Sequence, residues 1–176
     1  HFAVEFAQMN IVKLLIQRGA DVDMYDSEEL TPLHVAAKKG RTEAAQLLIS
    51  NGATIDARAS DQETPLLKAI MRGRTSTAEL LIQRGADVMA RGSDGWTPLH
   101  TAAATASTSI VQLLLIHDEV DVNARAELYQ TPLLLSAEVG NTDAAELLLE
   151  HGAEINMWGL MSGTPLFSAS ANSGDN

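Results

Sequence analysis

Histidine is the side chain best suited to acid–base chemistry or metal binding near neutral pH. The five histidines of the sequence are His1, His34, His100, His117 and His151. None belongs to an H-x-x-x-H or H-x-x-E-H pair, the spacing that places two ligands on one helix face. His1, His34 and His100 share one position of an internal repeat, and His117 and His151 share another. We therefore interpret the histidines as structural or surface residues and predict no metal site.

The sequence also lacks the motifs of nucleophilic and phosphate chemistry. It contains no G-x-S-x-G elbow, no P-loop and no G-x-G-x-x-G. The absence of cysteine excludes a thiol nucleophile, a cysteine-ligated zinc site and a disulfide scaffold. The carboxylates fall at turns and on outer helix faces, and nothing singles out a catalytic pair. We predict no catalytic residue and no cofactor, so that the chain is not an enzyme.

Charge restricts the partners of this chain. Its 12 basic and 23 acidic residues give a net charge of −11, which argues against nucleic acid and polybasic membrane binding. No apolar run reaches the roughly 18 residues of a membrane-inserted helix. Nearly all the net negative charge lies in residues 94–176, so an acidic protein partner remains compatible with the first half. Without cysteines, a signal pattern or an N-x-S/T sequon, we expect an intracellular, cytoplasmic monomer.

The elements that position these residues repeat along the chain. The tripeptide Thr-Pro-Leu recurs every 33 or 34 residues, which indicates a stacked array of one supersecondary unit. It begins at Thr31, Thr64, Thr97, Thr131 and Thr164. The threonine is typical of a helix N-cap, and proline is favoured at the first helical position. A glycine then ends this first helix in most repeats, and a second helix carries paired leucines.

The paired leucines and one missing glycine lead to two local predictions. We expect the leucine pairs to lie in the core between repeats. They are Leu47–Leu48, Leu80–Leu81, Leu113–Leu114 and Leu147–Leu148. Ala106 stands where other repeats have the helix-ending glycine, so we expect a strained or extended turn there.

The run from Asp94 to Ala103, DGWTPLHTAA, resembles the opening of an ankyrin repeat, and Arg84–Val88, RGADV, resembles its close. The resemblance covers the whole chain. It implies an all-α fold, an ankyrin-repeat α-solenoid of stacked helix-turn-helix units with protruding β-hairpin-like loops. The units would be 1–27 (partial), 28–60, 61–93, 94–127, 128–160 and 161–176 (partial), in one array over 1–176. We expect this array to be a segment of a longer one.

The resemblance also implies a role for the motif histidine, which forms a hydrogen bond between neighbouring repeats in this family. Leu67, Leu134 and Phe167 replace that histidine, so we expect those repeats to depend more on apolar packing.

In the family, partners contact the loop tips and the exposed side of the first helices. The loop-tip position is occupied by Tyr25, Arg58, Arg91, Arg125 and Trp158, with Trp96 and Tyr129 at the bases of neighbouring loops. Arginine and aromatic residues are enriched at binding hot spots. The helix faces of the first half add Lys38, Lys39, Lys68, Met71 and Arg72, a basic patch able to receive an acidic peptide. A family-typical tip arginine and a solvated cationic face are the alternative interpretations.

We therefore predict a protein–protein interaction module that presents a concave groove and a loop-tip surface to a protein partner. The alternative is a passive spacer or sensor arm of a larger multidomain protein whose activity lies outside this segment.

Overall fold

The computed structural model describes residues 1–160 and 163–172, and the backbone of these residues forms short α-helices and no β-strand. The helices are α1 (Phe2–Glu5), α2 (Met9–Gln17), α3 (Pro32–Lys39), α4 (Thr42–Ser50), α5 (Pro65–Met71), α6 (Thr75–Gln83), α7 (Pro98–Ala104), α8 (Thr108–Leu115), α9 (Pro132–Glu138), α10 (Thr142–Glu150) and α11 (Pro165–Asn172). One turn of 3₁₀ helix spans Glu127–Tyr129. The predicted all-α fold is confirmed.

Every Thr-Pro-Leu tripeptide begins a helix in the predicted way. The threonine hydroxyl accepts a hydrogen bond from the backbone N–H three residues later, at 3.3 to 3.5 Å. Proline occupies the first helical position, where its missing N–H leaves no helical hydrogen bond unmade. The recurring tripeptide therefore fixes where each first helix starts.

The turn from first to second helix requires a left-handed residue. Gly40 adopts φ 70°, and a Cβ there would lie 2.9 Å from Cδ of Arg74. Ala106 adopts φ 54° at the equivalent position, which confirms the expected strain. Ala7 has the same φ in the first repeat, which the sequence reasoning did not anticipate. The left-handed conformation costs an alanine about 1 kcal/mol or more.

Only one leucine of each leucine pair is buried in the core. The second member of each pair is at most 2 % exposed, namely Leu48, Leu81, Leu114 and Leu148. The first members, Leu47, Leu80, Leu113 and Leu147, are partly exposed. Adjacent helical residues point about 100° apart, so both cannot face the same neighbour. The prediction of a leucine-pair core was therefore wrong for the first member of each pair.

The chain divides into two compact units, unit 1 (His1–Asp87) and unit 2 (Val88–Asn176). In unit 1, α3 packs against α1 and α5, and α4 packs against α6. In unit 2, α9 packs against α7 and α11, and α8 packs against α10. Each unit thus stacks first helices on first helices and second helices on second helices.

The loops before the Thr-Pro-Leu tripeptides share one closing hydrogen bond. A backbone N–H donates to the carbonyl four residues later, at 2.8 to 3.1 Å. The pairs are Asp26 with Leu30, Ala59 with Glu63, Gly92 with Trp96, Ala126 with Gln130 and Gly159 with Gly163. Each hairpin-like loop is therefore closed by one local backbone hydrogen bond. No β-strand forms in the described residues.

Candidate functional site

The buried histidine of unit 1 completes a helix cap. The backbone N–H of Thr31 donates to Nδ1 of His34 at 3.1 Å. Because Nδ1 accepts this bond, the ring proton resides on Nε2, which donates to the carbonyl of Glu63 at 3.1 Å. Both ring nitrogens of His34 are therefore used within unit 1.

His100 makes the same bonds in unit 2, with the Thr97 N–H at 3.2 Å and the Gln130 carbonyl at 3.1 Å. Burial lowers the pKa of His100 from 6.5 to about 4, and burial also lowers the pKa of His34. Both imidazoles are neutral at pH 7 and inaccessible, which suits a structural role and not proton transfer to a substrate.

Metal coordination has no geometric basis in the part of the chain that the structure describes. No group of three histidine, aspartate or glutamate side chains there is placed to hold a metal ion.

Tyr25 and Arg58 lie at the tips of two successive loops in unit 1. Tyr25 is exposed, and Nη1 of Arg58 donates to the carbonyl of Gln62, four residues along its own loop, at 2.7 Å. Both side chains line an open cleft of about 470 Å³ together with Glu29. The tip arginine therefore supports its own loop, a role that sequence reasoning missed.

The loop tips of unit 2 bring four predicted site residues together. Nη1 of Arg91 donates to the carbonyl of Gly95 at 2.8 Å and to that of Arg125 at 2.9 Å. The Arg125 guanidinium carbon lies 5.8 Å from the centre of the Tyr129 ring. The centres of the Tyr129 and Trp158 rings are 5.9 Å apart. Each tip arginine contacts the residue four positions later in its own loop, namely Gln62, Gly95 or Tyr129. This constant spacing was the signal in the sequence from which the contacts could have been predicted.

Trp96 has a different environment from the other aromatic site residues. Its indole Nε1 donates to the side-chain oxygen of Gln130 at 3.1 Å, and the residue is half-buried. It joins two neighbouring loops of unit 2.

The predicted basic patch of unit 1 is balanced by carboxylates. The ion pairs are Lys38 with Glu28 at 3.6 Å, Lys39 with Glu5 at 2.7 Å, and Lys68 with Asp61. Burial opposes ionisation of Asp61, but the hydrogen bond from Lys68 holds the pKa of that carboxyl below its usual value. The three lysines of the patch are therefore paired charges. Their carboxylate partners lie in other segments, which the helix pattern did not include.

A cleft between α3 and α5 collects most of the predicted helix-face residues. Its volume is about 510 Å³. Lys38, Lys68, Met71 and Arg72 line it, together with both carboxylate partners of the lysines. We call it the α3–α5 cleft. Lys39 does not line it and turns to Glu5 of α1.

A sequence model of the family described as ankyrin repeats (3 copies) matches residues 1–92, 54–126 and 88–158. The chain belongs to the ankyrin repeat family. Its fold is accordingly an ankyrin-repeat α-solenoid, and ankyrin repeats are generally protein–protein interaction modules. The family is typically non-enzymatic. Comparison with curated proteins gives no match.

The sequence predicts no membrane-inserted helix. None of the ankyrin helices within the described residues has the length and apolar character needed to cross a bilayer.

Proposed function

We propose that this ankyrin segment is a non-catalytic interaction module that binds protein partners through its loop tips and the α3–α5 cleft. Exposed arginine and aromatic side chains on hydrogen-bonded loops carry this proposal. Such residues supply much of the affinity at protein interfaces, and prior ordering reduces the entropy lost on binding. The module needs no cofactor and acts as a cytoplasmic monomer.

The finer proposal for unit 1 is that the α3–α5 cleft takes an acidic peptide. Exposed ion pairs contribute only about 0–1 kcal/mol, so carboxylates of a partner can replace Glu28 at Lys38 at little cost. Arg72 adds a cation at the cleft edge, and Met71, 47 % exposed, offers adaptable apolar surface.

Selection of random peptides on the immobilised chain tests the proposal. We expect the selected pool to include peptides rich in aspartate and glutamate that bind more weakly as salt rises. The triple variant Lys38→Glu, Lys68→Glu and Arg72→Glu should weaken these peptides by about tenfold or more.

The matched control reverses three positive charges elsewhere in unit 1. Lys13→Glu, Arg18→Glu and Arg84→Glu alter exposed residues of the α2 and α6 region. If both triple variants weaken the acidic peptides equally, net charge explains the binding and the α3–α5 cleft does not. If no peptide of any kind is selected, the chain acts as a passive spacer and the interaction proposal fails.

A further inference from the structure

Three exposed side chains of unit 2 form a continuous cation–aromatic stack. The Arg125 guanidinium lies over the Tyr129 ring, and the Trp158 ring contacts Tyr129 from the next loop. Tyr129 is 47 % exposed and Trp158 is 58 % exposed. We call Arg125, Tyr129 and Trp158 the Trp158 tip. Its large aromatic surface is open to a partner even though the rings contact each other.

Hydrogen bonds hold the three loops around the Trp158 tip to one another. Arg91 donates to the Arg125 carbonyl at 2.9 Å. The backbone N–H of Glu127 donates to the Asp94 carbonyl at 3.2 Å, and that of Leu160 donates to Leu128 at 2.9 Å. The backbone beneath the aromatic rings is therefore ordered before any partner arrives, and binding orders few additional groups.

The Trp158 tip includes a residue with an unfavourable backbone conformation. Tyr129 adopts φ 58°, at the loop position where the preceding repeat has Gly95 with φ 75°. Glu29 and Gln62 adopt φ 56° and 59° at the same loop position of unit 1, so the left-handed turn belongs to the repeat and the bulky ring distinguishes Tyr129. At this turn the Tyr129 ring contacts both the Arg125 guanidinium and the Trp158 ring.

The charge around the Trp158 tip selects the partner. Unit 2 contains 11 acidic and two basic residues, a net charge of −9. The two basic residues are Arg91 and Arg125, which contact loop carbonyls and the Tyr129 ring. Glu154 and the exposed Ile155 line a cleft of about 400 Å³ with Arg125 and Trp158. A cation is favoured here both by this acidic field and by the electron-rich face of the indole.

As a deepening of the proposed interaction function, we infer that the Trp158 tip binds a basic protein segment. A lysine or arginine of that segment lies against the exposed face of Trp158 near the Glu154 carboxylate, and its aliphatic neighbours pack on Ile155. An acidic segment is disfavoured, because it would meet the Glu154 carboxylate on a unit of net charge −9, and Arg125 already lies over the Tyr129 ring.

Two fluorescein-labelled peptides test the inference on the intact chain. One alternates leucine with lysine and arginine, and the other has glutamate at every basic position. We expect the basic peptide to bind and to change the tryptophan emission of the intact chain. Trp158→Ala should weaken it by about tenfold or more. Glu154→Gln should weaken it by severalfold, and Glu150→Gln, on α10, should change affinity less than Glu154→Gln does.

The thermal unfolding midpoint of Trp158→Ala, measured by circular dichroism, must match that of the parent chain for this comparison. Unchanged affinity in a folded Trp158→Ala chain would overturn the inference, since binding would then follow net charge alone. Preference of the Trp158 tip for the glutamate peptide would also overturn it. Absence of basic-peptide binding, with acidic peptides still captured by the α3–α5 cleft, defeats this inference and leaves the proposed function standing. Failure of both peptides and of the random selection defeats both proposals.

Discussion

Units 1 and 2 share one backbone pattern but carry different surfaces. Unit 1 contains all four lysines of the chain, and each forms an ion pair with a carboxylate. Unit 2 has no lysine, and its two arginines support a loop-tip aromatic pair within a strongly acidic sequence. The paired lysines of unit 1 lie on helices, whereas the exposed aromatic rings of unit 2 lie on loops, so the two units carry their distinctive side chains at different positions of the repeat. The repeat pattern sets position, and residue type sets chemistry.

The largest expected effect is the loss of stability on truncating a core leucine, and it tests whether the cores of the two units are equally well packed. Leu48→Ala in unit 1 and Leu148→Ala in unit 2 remove side chains at most 2 % exposed. Each should lower the free energy of unfolding by about 2–5 kcal/mol, measured by urea denaturation. The controls Leu47→Ala and Leu147→Ala should cost much less, because these residues are partly exposed. A large loss in only one unit would show that the cores differ as well as the surfaces.

Acidification should destabilise the chain through its buried histidines. Burial lowers the pKa of His100 to about 4 in the folded state, against 6.5 for an unperturbed histidine. Between these pH values the unfolded chain binds more protons, so stability is present above pH 6.5 and is lost as the pH falls towards 4. The loss should be about 3 kcal/mol, at about 1.4 kcal/mol per pKa unit.

Urea denaturation of His100→Leu measures this contribution in unit 2, since Leu67 and Leu134 occupy the same repeat position naturally. The variant should have a weaker pH dependence than the parent chain between pH 4 and 6.5. His34→Leu is the counterpart in unit 1, where burial also lowers the histidine pKa. A parallel pH dependence for parent and His100→Leu would contradict the burial argument.

Glycine substitution at left-handed residues should change stability less at the Trp158 tip than at a left-handed turn without aromatic contacts. Tyr129→Gly removes the left-handed cost of about 1 kcal/mol but also loses the ring contacts to Arg125 and Trp158. Ala106→Gly relieves the same strain with little lost contact and should stabilise by about 1 kcal/mol. Thermal unfolding should therefore show a smaller gain for Tyr129→Gly. If both variants gain equally, the aromatic stack adds nothing to the stability of unit 2.

The smallest expected effect concerns the paired charges of unit 1. A double-mutant cycle on Lys39→Met and Glu5→Gln should give a coupling below about 1 kcal/mol that decreases with added salt. The lysine and glutamate side chains are 41 % and 34 % exposed, which allows this screening. A coupling of several kcal/mol, unaffected by salt, would mean that the Lys39–Glu5 ion pair is structural.

Local spacing was enough to predict the helices, their threonine caps and the strain at Ala106, because these depend on residues within one repeat. The first leucine of each pair was misplaced because burial depends on which neighbour a helix face meets. The carboxylate partners of Lys38 and Lys39 come from segments 10 and 34 residues away, which no helix periodicity contains. The contact between Tyr129 and Trp158 joins two loops and needs the stacked structure to be seen. The position of Trp158 at a loop tip identified it as a candidate binding residue, but the sequence did not show that its ring contacts Tyr129.

The closing hydrogen bond of each loop has an evolutionary consequence. It joins main-chain atoms, so substitution of the tip side chain at position 25, 125 or 158 leaves it in place, whereas substitution of Arg58 or Arg91 also removes a side-chain bond to the loop. The tip side chains can then change from repeat to repeat while the repeats stay folded. One ancestral motif can in this way give rise to surfaces of different chemistry. A library randomised at positions 25, 125 and 158 should retain its folded fraction while its binding repertoire widens.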